Sequence, residues 1–101
     1  MFCMYNFAMH FDWDENKAKA NYKKHKISFP EAVTAFFDEH AIIIGDPDHT
    51  IDEDRFILLG MSRDLRILIV SHCYRDQDNV IRLISARKAT KSEQKQYDER
   101  L

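Results

Sequence analysis

The chain has 101 residues, 45% of them hydrophobic and 32% charged, with a formal net charge of −2. That length supports one domain, residues 1–101, with one modest core, and the composition excludes a disordered chain. No apolar run approaches the roughly 20 residues that a membrane helix requires, which excludes a helical membrane anchor within the sequence.

The opening stretch, MFCMYNFAMH, is apolar but lacks a basic n-region and a long h-region, so no signal peptide is expected. Residues 1–9 are expected to be a loose extension, with Met4 and Met9 as alternative starts. Cys3 and Cys73 have neither metal-ligand nor disulfide spacing and read as reduced thiols of a cytoplasmic protein. His10 to Trp13 reads as a short strand. Asp14 caps a helix over about 15–25, with Glu15 in its first turn, where negative charge is favoured. On that helix Lys17, Ala18, Asn21, Tyr22 and His25 share one face, while Lys19, Lys23 and Lys26 lie on the wet side. Ser28-Phe29-Pro30-Glu31 has capping-box spacing, which makes helix capping one role for Glu31. Phe29, Ala32, Val33, Phe36 and Phe37 then recur as a core-facing stripe.

Strands are predicted over 41–45, 55–62, 66–74 and 80–87, with a hairpin loop at 76–79 between the last two. Thr90-Lys91-Ser92-Glu93 is a second capping-box spacing and opens a short C-terminal helix ending near Leu101. At about 10 residues that helix is too short to stand alone and must dock, either on the protein's own core or under a partner segment. The order gives an α+β fold. An N-terminal strand and two helices pack on an antiparallel four-stranded meander, helices on one face and the other face open to a partner.

The small net charge hides segregation. Residues 17–26 carry five lysines and no acid, residues 38–54 seven acids and no Lys or Arg, and residues 55–91 eight cations against three acids. Such blocks either cancel in space or create a local field for a polyanion. The acidic set Asp46, Asp48, His49, Asp52, Glu53 and Asp54 offers metal-type ligands without the glycine and glutamate positions of an EF-hand, and a solvated loop is expected rather than a metal site. His25 beside Lys24 is a candidate proton carrier, since imidazole titrates near neutrality and a nearby lysine favours its neutral form. A structural role for this inward-facing histidine stays open. Regular alternation puts Arg82 and Arg87 on opposite faces of their strand, so they can converge only where the strand bends or ends near Ser85.

Three segments resemble BrnT-type toxins. They are Phe11-Asp12-Trp13-Asp14 with Asn21, Lys24, His25, Ile27, Phe29, Glu31 and Ala32; Glu53-x-Arg55 before Phe56 to Gly60; and Ile81 to Ala89 with Glu93 and Tyr97. Together they span about residues 10–99. The resemblance implies a RelE-like ribonuclease, the toxin of a bacterial type II toxin–antitoxin pair. It would inhibit translation by cutting RNA without metal or other cofactor. The implied partner is a ribbon-helix-helix antitoxin in a 2:2 complex that binds operator DNA through the antitoxin. On this resemblance Arg82 and Arg87 clamp the scissile phosphate, Arg55 assists, His25 carries a proton, and Tyr97 stacks a base or holds a proton. Lys24, Arg66 and Lys88 are expected to bind substrate. The mildly acidic pI of 6.2 departs from the basic character common among RelE-like toxins. A silent RNA- or protein-binding module on the same fold, and a metal-dependent hydrolase using the acidic loop, are the rival readings.

Overall fold

The computed structural model describes residues 10–46, 55–75, 77 and 79–101. Their elements, in order, are β1 (His10–Asp12), α1 (Glu15–His25), α2 (Phe29–Ala35), β2 (Ile42–Gly45), β3 (Arg55–Met61), β4 (Ile67–Arg75), β5 (Val80–Lys88) and α3 (Lys91–Arg100). The expected N-terminal extension, most of the acidic loop and part of the 76–79 hairpin loop lie outside the described residues.

Local chemistry sets the helix ends. The Asp14 carboxylate accepts from the N–H groups of Asn16 (2.7 Å) and Lys17 (3.2 Å) and starts α1. Lys26 ends it in the left-handed region, φ 62°, its N–H donating to the Tyr22 carbonyl. Ser28 Oγ caps α2 by accepting from the Glu31 N–H, but the Glu31 carboxylate does not return to the cap; it turns inward to Ser62 and Arg66. The second capping box is complete. Thr90 Oγ accepts from the Glu93 N–H, and Glu93 Oε1 accepts from the Thr90 N–H.

The sheet has five strands in the order β1-β5-β4-β3-β2. Strands β2 to β5 are antiparallel neighbours, and β1 joins the far edge parallel to β5, His10 opposite Val80 and Asp12 opposite Arg82. The first strand is therefore an integral edge of a mixed sheet rather than an element packed on a separate meander. A parallel pairing across about 70 residues leaves no local mark on a sequence, unlike a hairpin.

One sheet face is covered by α1 and α2. Leu58, Leu68, Val70, Ile81, Leu83 and Ala86 meet Ile27, Phe29, Ala32 and Ala35 there, all buried. Rings close the margin, Phe11 on Phe36 at 5.2 Å and Trp13 on Phe29 at 5.7 Å. The end of α2 approaches β3 at Gly60, where an added Cβ would lie 3.0 Å from the Ala35 carbonyl oxygen. The opposite face carries a smaller cluster of Leu59 and Ile69 under Ala89 and Tyr97. The expectation of helices on one face alone thus fails for α3, which docks on the protein's own second face.

His72 is fully buried in the first core, edge-on to Phe36 at 4.8 Å and with Nδ1 3.1 Å from the Val70 carbonyl oxygen. Burial pushes its pKa down, outweighing the opposite effect of that carbonyl. The folded state keeps this imidazole neutral while the unfolded chain protonates near pH 6.5, so its contribution is complete above that pH and fades as pH falls below it. The denaturation midpoint is expected to drop between about pH 6.5 and 5. His72→Phe should flatten that segment. It should leave a second loss below about pH 4.5, where Glu31, Asp38 and Glu93, all with lowered pKa values, take up protons.

Candidate functional site

Directly paired residues project from the same face of a sheet. Across four adjacent strands, Asp12 pairs with Arg82, Arg82 with Cys73, and Cys73 with Arg55. This row lies on the second face, clear of α1 and α2. The next row outward is His10, Val80 and Arg75. In the other direction come Ile57, Ser71 and Ser85, then Leu59, Ile69 and Arg87, where α3 begins to cover the sheet. One face therefore carries four arginines. Arg75 is exposed; Arg55, Arg82 and Arg87 are half-buried.

Arg87 reaches this face because β5 contains a bulge. Leu83 pairs with His72 and Ser85 with Ser71, leaving Ile84 as an extra residue. One added residue inverts the alternation, so Arg82 and Arg87 share a face that a regular strand would deny them. They do not stand side by side. Their partners Cys73 and Ile69 are four residues apart on β4, which separates the two arginines by about 14 Å along the strand. Arg55 and Arg82 flank Cys73 from adjacent strands, with backbones about 10 Å apart. Arg55 and Arg82 are the closer pair, while Arg82 and Arg87 share the face but stand further apart along it.

Both arginines of the expected clamp hold internal carboxylates. Arg82 Nη1 donates to Asp12 Oδ1 at 3.2 Å, the Arg82 side chain 35% and the Asp12 side chain 49% exposed. Arg87 binds Glu93 through two parallel bonds of 2.9 and 3.0 Å. The Arg87 guanidinium, helped by the Thr90 N–H, pulls the Glu93 carboxyl down to about 2 against the opposing effect of burial. An incoming phosphate must compete with these carboxylates, more easily at the single exposed bond of Arg82 than at the bidentate pair.

The remaining expected site residues fall elsewhere. Arg66 donates to Glu31 through Nε at 2.9 Å and through Nη2, while Ser62 Oγ donates to the same carboxylate at 2.6 Å. Glu31 is only 3% exposed, and the hydrogen bond from Arg66 holds its carboxyl below the usual range. This trio ties α2 to the β3–β4 turn, so Arg66 is a strut before it is a substrate ligand. Arg66 and exposed Lys88 nevertheless line one shallow groove of about 230 Å³.

Tyr97 is 2% exposed, which closes its ring to a base. Its hydroxyl donates to Asp38 Oδ2 at 2.6 Å, and burial together with that carboxylate pushes its pKa up to about 12. In the structure the Tyr97–Asp38 bond is an anchor that fastens α3.

His25 and Lys24 end α1. The helix starts beside Asp12 and passes Ala86, to which Asn21 is hydrogen-bonded. One turn further, about 6 Å along the axis, His25 lies toward the Lys88 end of β5, away from the Arg55–Arg82 row. His25 is half-buried and Lys24 exposed.

Of the acidic loop only Asp46 is described, buried and donating its N–H to the Arg55 carbonyl at 2.8 Å. No group of His, Cys, Asp and Glu among the described residues is arranged to hold a metal ion.

Pattern reasoning missed His10, Asp12 and Arg75. Alternation along β4 places Cys73 and Arg75 on one face. The cross-strand register that adds Arg55, Arg82, Asp12 and His10 is not written in any single segment.

Comparison with known proteins agrees with this architecture. A family model described as a ribonuclease toxin, BrnT, of type II toxin–antitoxin systems matches residues 13–93. No curated protein sequence matches the chain. The 1.1 Å crystal structure of the Brucella abortus ribonuclease toxin, BrnT, is similar at a TM-score of 0.65 and 24% identity. The match covers 82% of this chain and 99% of that one. At that identity the likeness speaks for the fold.

Proposed function

The chain belongs to the BrnT family of ribonuclease toxins of type II toxin–antitoxin systems, and we propose that it is a RelE-like, metal-independent endoribonuclease whose four-arginine face holds RNA. The observation that carries this reading is the row Asp12–Arg82–Cys73–Arg55 on the second sheet face, where Asp12 is exposed and two half-buried arginines flank the buried Cys73.

The chemistry is transesterification. The 2′-OH of a nucleotide loses its proton and attacks the adjacent phosphorus, the P–O5′ bond breaks, and the leaving 5′-oxygen takes a proton. The products are a 2′,3′-cyclic phosphate and a 5′-OH. Phosphorus gains negative charge on the way, and two guanidinium groups flanking it supply donors where that charge develops. Arg55 and Arg82 take this role over Cys73. Arg87, about 14 Å along β5, grips a phosphate further along the strand. Asp12 and His10 on β1 are of the right type to take and give the proton. Lys24, His25 and Lys88 contact the flanking RNA.

As a type II toxin the chain implies an antitoxin partner. We further propose that this antitoxin is a ribbon-helix-helix protein forming a 2:2 complex that meets operator DNA through the antitoxin. In this reading the free toxin acts in the cytoplasm by cutting RNA needed for translation. No helix among the described residues is long and apolar enough to cross a membrane.

The test is incubation of the purified chain with a single-stranded RNA, with and without EDTA, followed by end mapping. Cyclic-phosphate and 5′-OH ends at an EDTA-independent rate are expected. Cleavage abolished by EDTA would transfer the activity to the acidic loop. RNA binding with no new ends would assign a silent binding module, the reading that the internal pairing of Arg82 and Arg87 favours.

A further inference from the structure

Beside α3 the second sheet face forms a groove of about 280 Å³ floored by Ile42, Ile44, Ile57, Leu59 and Ile69, with Arg87 at its margin. Its outer wall is β2, the last strand in the sheet order, where Ile44 is 55% exposed. Ile44 pairs with Ile57 and Ile42 with Leu59, so these side chains share the face that bears the arginines. Ile43, 47% exposed, points to the other face.

We propose that this groove is the docking site of the antitoxin, taken up by an amphipathic helix. That helix would present Leu, Ile or Val side chains to the groove and carboxylates toward Arg55 and Arg82. Three observations select this occupant. The floor is aliphatic, with Glu93 and Gln96 of α3 joining Arg87 at its margin, whereas an unpaired base calls for an aromatic ring or an open guanidinium plane to stack on. The groove runs directly into the arginine rows: Ile57 is two residues from Arg55 on β3, and Ile69 is opposite Arg87. A partner that fills the groove therefore meets the guanidinium groups of these rows, where its acids would compete with Asp12 and Glu93. Finally, α3 shows how a helix seats on this surface, with buried Tyr97 clustered with Leu59 and Ile69. A second helix beside α3 finds the same kind of floor, in the helix-in-groove mode of recognition.

Neutralisation follows from position. A helix here covers the phosphate path between the Arg55–Arg82 row and Arg87, so antitoxin and RNA exclude each other. That consequence rests on the ribonuclease reading; the docking site itself does not.

The test compares Ile44→Asp with Ile43→Asp in the full chain, titrated with the purified antitoxin encoded with it. Both positions are exposed on an edge strand, so neither change enters the core. Ile44→Asp is expected to weaken antitoxin binding by at least about 30-fold, the scale of a hot-spot residue, and Ile43→Asp by less than about 2-fold. RNA cleavage by free Ile44→Asp should stay within about 2-fold of the parent, leaving a nuclease that the antitoxin no longer restrains.

Antitoxin affinity unchanged in Ile44→Asp overturns the proposal. Reduced RNA binding with intact antitoxin affinity also overturns it, by giving the groove to RNA. So does a toxin dimer that Ile44→Asp dissociates while antitoxin affinity holds, which would give the groove to a second copy. Were the parent chain to cut no RNA, the ribonuclease reading would fail, and the two antitoxin affinities would still decide the docking site.

Discussion

Arg82→Ala and Arg55→Ala are each expected to lower the rate of RNA cleavage by about 100- to 1000-fold, the range for removing one donor that acts on developing charge. The two residues sit on either side of Cys73, so each supplies one half of the cradle around a single phosphate. Loss of either half should appear in kcat, with KM moving little. Arg87→Ala should behave differently. At about 14 Å from Arg82 it meets another phosphate, so its loss should raise KM and reduce the salt dependence of binding by about one phosphate contact. Folding is not at risk in Arg82→Ala, because the Arg82–Asp12 pair is solvent-exposed and such pairs contribute little to stability. Single-turnover kinetics on a short oligonucleotide, at two salt concentrations, separate the two patterns. Equal rates for Arg82→Ala, Arg55→Ala and the parent protein would remove the cradle.

The contrast between Arg82 and Arg87 shows what the chain discloses before its structure is known. Strand positions, helix caps and the core stripe of α2 are local. Each depends on residues within one or two turns, and they emerge with ends shifted by about a residue. The face on which Arg87 lies depends on a single extra residue, Ile84, whose unpaired state is fixed by β4 rather than by its own neighbours. Alternation alone put Arg82 and Arg87 on opposite faces, and nothing within Val80 to Lys88 signals otherwise. Tyr97 and Arg66 illustrate a second limit. A tyrosine on a polar helix and an arginine at a strand start look available to a ligand. Asp38, which takes the Tyr97 hydroxyl, is 59 residues away, and Glu31, which takes the Arg66 guanidinium, is 35. Chemistry type was legible in both; the vacancy of the functional group was not.

Asn21→Ala is expected to be the most destabilising single change to a polar residue here, at about 3 to 5 kcal/mol, for a reason that again crosses the chain. Strand β1 covers β5 only from Val80 to Arg82, so the outer edge of β5 further on has no strand beside it among the described residues. The Asn21 side chain fills that gap. Its amide donates to the Ala86 carbonyl at 2.9 Å and to the Ile27 carbonyl at 3.0 Å, and its oxygen accepts the Ala86 N–H at 3.0 Å. One carboxamide thus imitates a peptide unit of a neighbouring strand, inside a site where Asn21 is 7% and Ala86 0% exposed. Removing it strands three buried backbone groups at about 1 to 3 kcal/mol each, less what water recovers. Domains of this size hold about 5 to 15 kcal/mol in total, so the melting temperature should fall by at least about 12 °C. Asn21→Asp should be no milder, since it keeps the acceptor, loses both donors and buries a charge. Asn16→Ala, on the exposed side of the same helix, should stay within about 0.5 kcal/mol of the parent. The effect would reach function through position: α1 follows β1 by two residues, and a helix no longer held at Ala86 leaves the three-residue strand that carries Asp12 to Arg82 with little to keep it in register. Thermal melts of the two Asn21 variants beside Asn16→Ala measure this directly. A melting temperature for Asn21→Ala within a few degrees of the parent would mean that water replaces the carboxamide at the β5 edge.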